Sequence, residues 1–183
     1  MRAANAPDEF RGSHPALFRY RLDVIASNAD DVVRSAGGWL FDRAMGGWDV
    51  NLLITDSCNA RPLRILGIRT CSPDSVEWVM KSPRTQAIAV AADVFNTDSR
   101  VRETVVAAME RGDTEVTLWG ETWPPDFHGA KAVQHRLSSA ARAFKTQALA
   151  AAALPDASMT GTETFRSGCR WYPAYEPDLL PVS

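Results

Sequence analysis

Five side chains that could bind a ligand follow runs of apolar residues. Asp56, Asp93 and Glu121 each come just after such a run, and Asp98 and His128 lie a few residues further along. If Asp56, Asp93 and Glu121 converge, their oxygen atoms suit Mg²⁺, which could hold a phosphate ester. His128 would then be placed to transfer a proton. The sequence thus predicts a ligand site formed by these five residues.

The same residue types also have an ordinary structural use. Asp and Asn after strands commonly cap the helix that follows, and we expect Asn28 and Asp98 to do so. His128 and His135 are seven residues apart, two turns of a helix, whereas zinc usually needs four ligands at tighter spacing. A structural or surface role is therefore favoured for these histidines, and no metal site is predicted from them.

Strong catalytic motifs are absent from the sequence. Neither a Gly-x-Gly-x-x-Gly nor a Gly-x-x-x-x-Gly-Lys-Ser/Thr segment occurs, and Cys58 lies outside any Gly-x-Ser-x-Gly elbow. Cys58, Cys71 and Cys169 form no Cys-x-x-Cys pair, which is typical of a reducing compartment. The sequence identifies no cofactor and favours a protein that is not an enzyme, without deciding the question.

The net charge and the aromatic residues indicate which kinds of partner the protein could bind. Lys and Arg number 20 against 22 Asp and Glu, so a nucleic acid is disfavoured. No signal peptide or long apolar run is present, which disfavours a membrane and indicates the cytoplasm of a bacterium. Trp171, Tyr172 and Tyr175 lie between prolines near the C-terminus, and we expect them to form an interface with a second copy or another protein.

The elements that must position these residues follow from hydrophobic periodicity. Strands are predicted over residues 20–26, 48–55, 86–92 and 115–119, and helices over 28–45, 73–81, 98–111 and 129–154. The apolar run 63–68 either pairs antiparallel with the strand before it or caps the sheet edge. Gly37 and Gly38, inside the first helix, are expected to allow close approach to a sheet.

Together these elements predict a single three-layer α/β domain over residues 17–154. Its sheet is expected to be mostly parallel, with about five strands in a Rossmann-like or flavodoxin-like arrangement. A flexible arm (1–16) precedes it, and an irregular aromatic tail (155–183) follows the long C-terminal helix. Ile54, Ala92 and Trp119 should end at the same edge of this sheet.

Two functions are favoured by the sequence, and a third, a nucleic-acid-associated protein that uses Arg166, Arg170 and Trp171, is disfavoured by the acidic balance. The first is a regulatory or protein-interaction module of a bacterial cytoplasm that self-associates, because no catalytic group of residues assembles. The alternative is an enzyme or sensor that binds a small phosphorylated or nucleotide ligand at the carboxyl ends of the strands, with Mg²⁺ as an optional partner.

Overall fold

The computed structural model describes residues 19–54, 59–71, 85–122, 130–154, 159–168 and 178–182. The strands are β1 (Arg21–Ala26), β2 (Asp49–Ile54), β3 (Arg69–Cys71), β4 (Ala87–Ala91), β5 (Glu115–Trp119), β6 (Lys131–Arg136), β7 (Thr162–Ser167) and β8 (Leu180–Pro181). The helices are α1 (Ala29–Ser35), α2 (Gly37–Met45), α3 (Arg61–Ile65), α4 (Ala92–Thr97), α5 (Ser99–Arg111) and α6 (Ser139–Ala151). None of the helices in these ranges is both long and apolar enough to cross a lipid bilayer.

All these strands form one mixed sheet of eight, in the order β3-β2-β1-β4-β5-β7-β6-β8. The first five in this order are parallel to one another. Ile54 and Trp119 therefore end at the same edge, beside Ala91 and Ala92, as the sequence predicts. We call β3, β2, β1, β4 and β5 the parallel half of the sheet.

The other three strands form the antiparallel half. β7 is antiparallel to both β5 and β6, and β8 is antiparallel to β6. The predicted fold, a mostly parallel sheet of about five strands of Rossmann-like or flavodoxin-like type with a long C-terminal helix and an extended aromatic tail, is therefore wrong. Residues 131–136 form a strand instead of the start of that helix, and residues 162–167 form a strand inside the sheet.

Two further elements differ from the sequence prediction. Residues 63–68 do not form a strand, because Pro62 near the start of α3 favours a short helix there. The helix after β1 is divided at Ala36 into α1 and α2. The predicted arm at 1–16 and the predicted helix at 73–81 lie outside the described residues.

Helices α2 and α6 pack against each other over the antiparallel half. Trp39 of α2 contacts Phe165 of β7, with ring centroids 4.9 Å apart, and both side chains are fully buried. Gly38 approaches Leu137 so closely that an added Cβ would lie 2.4 Å from its Cδ2 atom. The glycine pair thus permits a close approach, as expected, but the contact is to the residue that follows β6.

Candidate functional site

Polar side chains meet where β1 and β4 end. Ser27 follows β1 directly, and Asp93 lies in the first turn of α4, just after β4. These two strands are adjacent and parallel, so their carboxyl ends lie side by side. The hydroxyl of Ser27 donates a hydrogen bond of 2.6 Å to Oδ2 of Asp93, whose side chain is exposed. We call these two residues the strand-end pair.

Asn28 orients the strand-end pair. Its Oδ1 atom accepts a hydrogen bond of 2.8 Å from the Asp31 amide, which makes Asn28 the N-cap of α1, as the sequence predicts. Its Nδ2 atom donates to the Ser27 hydroxyl oxygen at 3.1 Å. Because the Ser27 oxygen accepts this bond, its own proton is directed to Asp93. The Val94 amide donates to the other Asp93 oxygen at 2.8 Å, so the carboxylate is held on both sides.

Trp119 extends this hydrogen-bonded chain to the end of β5. Its indole Nε1 donates to Oδ2 of Asp31 at 2.7 Å, and the indole itself is fully buried. Gly120, with φ of 124°, turns the chain directly after β5, and a Cβ there would lie 3.0 Å from the Cβ of Ala92. A residue without a side chain is needed at this turn. The ends of β1, β4 and β5 thus form one connected polar edge.

Of the predicted ligand residues, Asp93, in the first turn of α4, and Glu121, in the loop after β5, lie at this edge. Asn96 donates to the Thr122 carbonyl at 3.2 Å, which joins the loop after β5, where Glu121 is exposed, to α4. Asp98 instead caps α5, with bonds of 2.9 and 3.4 Å from the amides of Arg100 and Val101. The hydrogen bond from the Arg100 side chain lowers the pKa of the Asp98 carboxyl. The capping prediction for Asp98 is confirmed.

The other predicted residues lie outside the described parts of the chain: Asp56, His128, Trp171, Tyr172 and Tyr175. Within the described parts, no three His, Cys, Asp or Glu side chains are grouped to hold a metal ion. Sequence reasoning missed the role of Ser27. The only signal for it is its position immediately after a strand, next to a good N-cap residue.

Comparison with known proteins gives a likeness of fold alone. No protein-family model matches the chain, and no curated protein matches it. The crystal structure of the antimicrobial reagent A40926 pseudoaglycone deacetylase is similar, with 16% identity, a TM-score of 0.57, and coverage of 81% of this chain and 97% of that one. A deacetylase–teicoplanin complex is 13% identical, with a TM-score of 0.56 and coverage of 80% and 97%. A zinc-inhibited form of teicoplanin deacetylase is 14% identical, with a TM-score of 0.53 and the same coverage.

This likeness corrects the functional prediction. These similar structures are deacetylases, so the interpretation as a regulatory or protein-interaction module is wrong and the enzyme alternative fits better, whereas self-association stays a prediction. Zinc is named for one of these proteins. The strand-end pair offers one hydroxyl and one carboxylate, already bonded to each other, which does not fit the ligand set of a zinc site.

Proposed function

We propose that the protein is a hydrolase of the deacetylase type, which removes an acyl group from an amide nitrogen at the carboxyl edge of the sheet. The observation that carries this proposal is the bond of 2.6 Å between Ser27 and Asp93 at that edge. Ligands of open α/β sheets bind beyond the carboxyl ends of the strands. The fold likeness to deacetylases over four fifths of the chain supports the same reaction class.

Hydrolysis of an amide by water requires a proton acceptor near the substrate carbonyl. Asp93 would take a proton from a water molecule as that water attacks the carbonyl carbon, and would return it to the departing amine nitrogen. The Ser27 hydroxyl and the Val94 amide hold the carboxylate in one orientation before the substrate binds. Such preorganisation lowers the cost of reaching the reactive geometry. The C–N bond breaks, and the products are a carboxylic acid and a free amine.

The charge of the edge favours one substrate class. Residues 27–30, 92–97 and 120–122 include the three acids Asp30, Asp93 and Glu121, whereas the arginine that bonds to backbone carbonyls of this edge is Arg102 of α5. A negative edge attracts a substrate that is neutral or carries an amine, and it repels a phosphate. We therefore propose an N-acylated amine as substrate in place of the phosphorylated or nucleotide ligand predicted from the sequence.

Acetate release from a panel of N-acetylated amines tests the proposal. Wild-type protein should hydrolyse at least one of them, and Asp93→Asn should lower kcat/KM by about 10²-fold or more, as loss of a general base does. Ser27→Ala should retain more activity, since it removes only the support of the carboxylate. The matched control is Asp113→Asn, an exposed aspartate at the amino end of β5, which should leave the rate unchanged. Full activity of Asp93→Asn, or no hydrolysis by the wild type, would contradict the proposal.

Metal dependence is tested in the same assay. We further propose, as the sequence predicts, that Asp56, Asp98, Glu121 and His128 take part in ligand binding, with Mg²⁺ as partner. If it is correct, chelation should abolish hydrolysis, Mg²⁺ should restore it, and Asp56→Asn should raise the Mg²⁺ concentration required. Activity that survives chelation would remove the metal from the proposal but would leave Asp93 as the base.

We also propose that the reaction takes place in the cytoplasm of a bacterium. The cysteines are odd in number and widely spaced, and Cys71 is a free thiol, which suits a reducing compartment. Cell fractionation with an antibody to the protein tests this location. Recovery in the periplasmic fraction would contradict it.

A further inference from the structure

Two buried hydroxyl groups are without a hydrogen-bond partner where the two halves of the sheet meet. Thr117 of β5 and Ser167 of β7 are 1% and 3% exposed, and within the described parts of the chain neither side-chain oxygen is hydrogen-bonded. Buried polar groups almost always have a partner, because an unmet group keeps the full cost of its removal from water. The two oxygens therefore indicate a place where a polar molecule can bind.

The two hydroxyl groups face each other across the sheet. Thr117 and Ser167 are direct partners in the pairing of β5 with β7, so their side chains lie on the same face. The Gly168 amide donates to the Val116 carbonyl at 3.0 Å, which makes the adjacent pair the hydrogen-bonded one. Thr117 and Ser167 then form a non-hydrogen-bonded pair, whose Cβ atoms are typically about 4.5–5.5 Å apart. A single water molecule spans such a gap between two hydroxyl groups.

The side chains around the two hydroxyl groups are small. Ala89 of β4 is the direct partner of Thr117 on its other side and is fully buried. Ala89, Thr117 and Ser167 thus form a row across three strands. Helix α2 covers this face, because its Trp39 contacts Phe165, two residues before Ser167 on β7. Small side chains under a helix leave room that larger ones would fill, and a buried water needs such room together with two to four polar partners.

Glu115 adds a third polar partner on the same face, two residues before Thr117 on β5. Burial raises the pKa of its carboxyl, whereas Arg43 and, more weakly, the Thr117 hydroxyl oppose the shift. The Thr117 oxygen thus faces this carboxylate without the geometry of a direct hydrogen bond. Polar groups at such a separation are commonly bridged by water.

The charges near the two hydroxyl groups favour a neutral molecule over an ion. Arg43 Nη2 donates to the two Glu115 oxygens at 3.0 and 3.1 Å, and Arg43 Nε donates to Asp178 at 2.5 Å. The two carboxylates would repel an anion, and the guanidinium would repel a cation. Water avoids both costs, and it can accept a hydrogen bond from one hydroxyl group while it donates to the other and to Glu115.

We propose that one water molecule is stably bound between Thr117 and Ser167, with Glu115 as its third partner, and that it joins the parallel half of the sheet to the antiparallel half. Buried waters typically make about three hydrogen bonds, the number available here. Among the described residues, β5 is in register with β7 over two residue pairs, against five with β4. The water therefore adds contacts where the ladder is short. This binding site is independent of the reaction proposed above.

Two measurements on the wild-type protein test the site. A long-lived internal water gives nuclear Overhauser effects to protons near it, and we expect them at the Thr117 methyl group and the Ser167 Hβ protons. The methyl groups of Leu52, fully buried in β2, are the control and should show none. A crystal structure should place an ordered water about 2.5–3.0 Å from both hydroxyl oxygens. A direct bond between the hydroxyl groups, a halide at the site in crystals grown with bromide, or no water signal would overturn the proposal.

Variants show whether the two hydroxyl groups hold the water. In the double variant Thr117→Val, Ser167→Ala, the water signal at the methyl groups of position 117 should fall at least tenfold, because two of its three partners are gone. Thr146→Val, an exposed threonine on α6, is the matched control and should leave the signal at Thr117 unchanged. Should the double variant fail to fold, Ser167→Ala replaces it and should weaken the signal at Thr117 at least threefold. An undiminished signal in the variant examined would contradict the proposed partners.

Discussion

The two halves of the sheet are held together by different interactions. In the parallel half, β1 and β4 bury mostly apolar side chains, such as Val24 and Val90, and the buried charge in β1, Asp23, is paired with Arg21 of the same strand. In the antiparallel half, Glu163, His135 and the neighbouring Lys145 of α6 are buried to a similar degree. The first half depends mainly on burial of apolar area, which has no preferred direction. The second depends on charged hydrogen bonds, which fix the geometry of β6 and β7 against α2 and α6.

Glu163 is the centre of the second arrangement. Its oxygens accept bonds from the amides of Gly38 and Trp39 at 2.9 and 2.7 Å, and from Lys145 Nζ at 2.5 Å. Ala36 offers no side-chain cap to α2, so Glu163 caps that helix from a strand. Burial raises the pKa of this carboxyl, while Lys145 and the two amides oppose the shift. A single side chain thus joins β7 to two helices.

The largest effect that we predict comes from breaking this cluster. Glu163→Gln should lower the free energy of unfolding by about 3–5 kcal/mol, because Lys145 is left charged and buried without a counterion. Lys145→Met should cost a similar amount, and the double variant should cost less than the sum of the two. Urea denaturation of the four proteins measures this coupling.

Glu110→Gln is the matched control for that cycle. Glu110 is exposed on α5, and its substitution should change stability by no more than about 0.5 kcal/mol. If Glu163→Gln were no more costly than Glu110→Gln, the two halves would not differ in the way described.

The difference between the halves also explains which strands the sequence could predict. β1, β4 and β5 bury mostly apolar residues, with Asp23 and Thr117 as the polar ones, and all three were predicted as strands. In β6 the inward positions are Val133 and His135, and in β7 two of the three are Glu163 and Ser167. A strand is recognised from the alternation of apolar and polar residues, and this alternation is not visible when the buried residues are themselves charged or polar. Burial of such residues depends on partners that are distant in sequence.

The residues of the candidate site also differ in whether the sequence could predict their contacts. The caps formed by Asn28 and Asp98 were predictable, since each side chain bonds to an amide two or three residues away. The strand-end pair was not, because Ser27 and Asp93 are 66 residues apart and only the pairing of β1 with β4 brings them together. Local hydrogen bonds can be inferred from spacing, and bonds across a sheet require the strand order.

A smaller effect is expected at the contact between α2 and the residue after β6. In Gly38→Ala the new Cβ would lie 2.4 Å from Leu137 Cδ2 and 2.6 Å from its Cγ. We expect a loss of about 1–3 kcal/mol from overpacking, although alanine is the better helix former. Thermal and urea unfolding measure it. Gly161→Ala is the control, since a Cβ there meets nothing within 4 Å, and a stabilised Gly38→Ala protein would show that α2 has room to move away from Leu137.

The smallest predicted effect lies next to the parallel half, at the start of α5. Asp98→Ala should cost about 1 kcal/mol through loss of the helix cap, and Asp98→Ser should keep most of that stability. The pKa of Asp98 is lowered in the folded protein, so its ionised form adds stability above the unfolded pKa, and this stability is lost as the pH falls through the folded value. Serine does not titrate, so the advantage of aspartate over serine should disappear on acidification, as measured by urea unfolding at several pH values. This cap bonds only to residues close in sequence, so its loss should leave the sheet intact. If Asp98→Ala lowered the free energy of unfolding as much as Glu163→Gln does, the distinction between local and cross-sheet contacts would be contradicted.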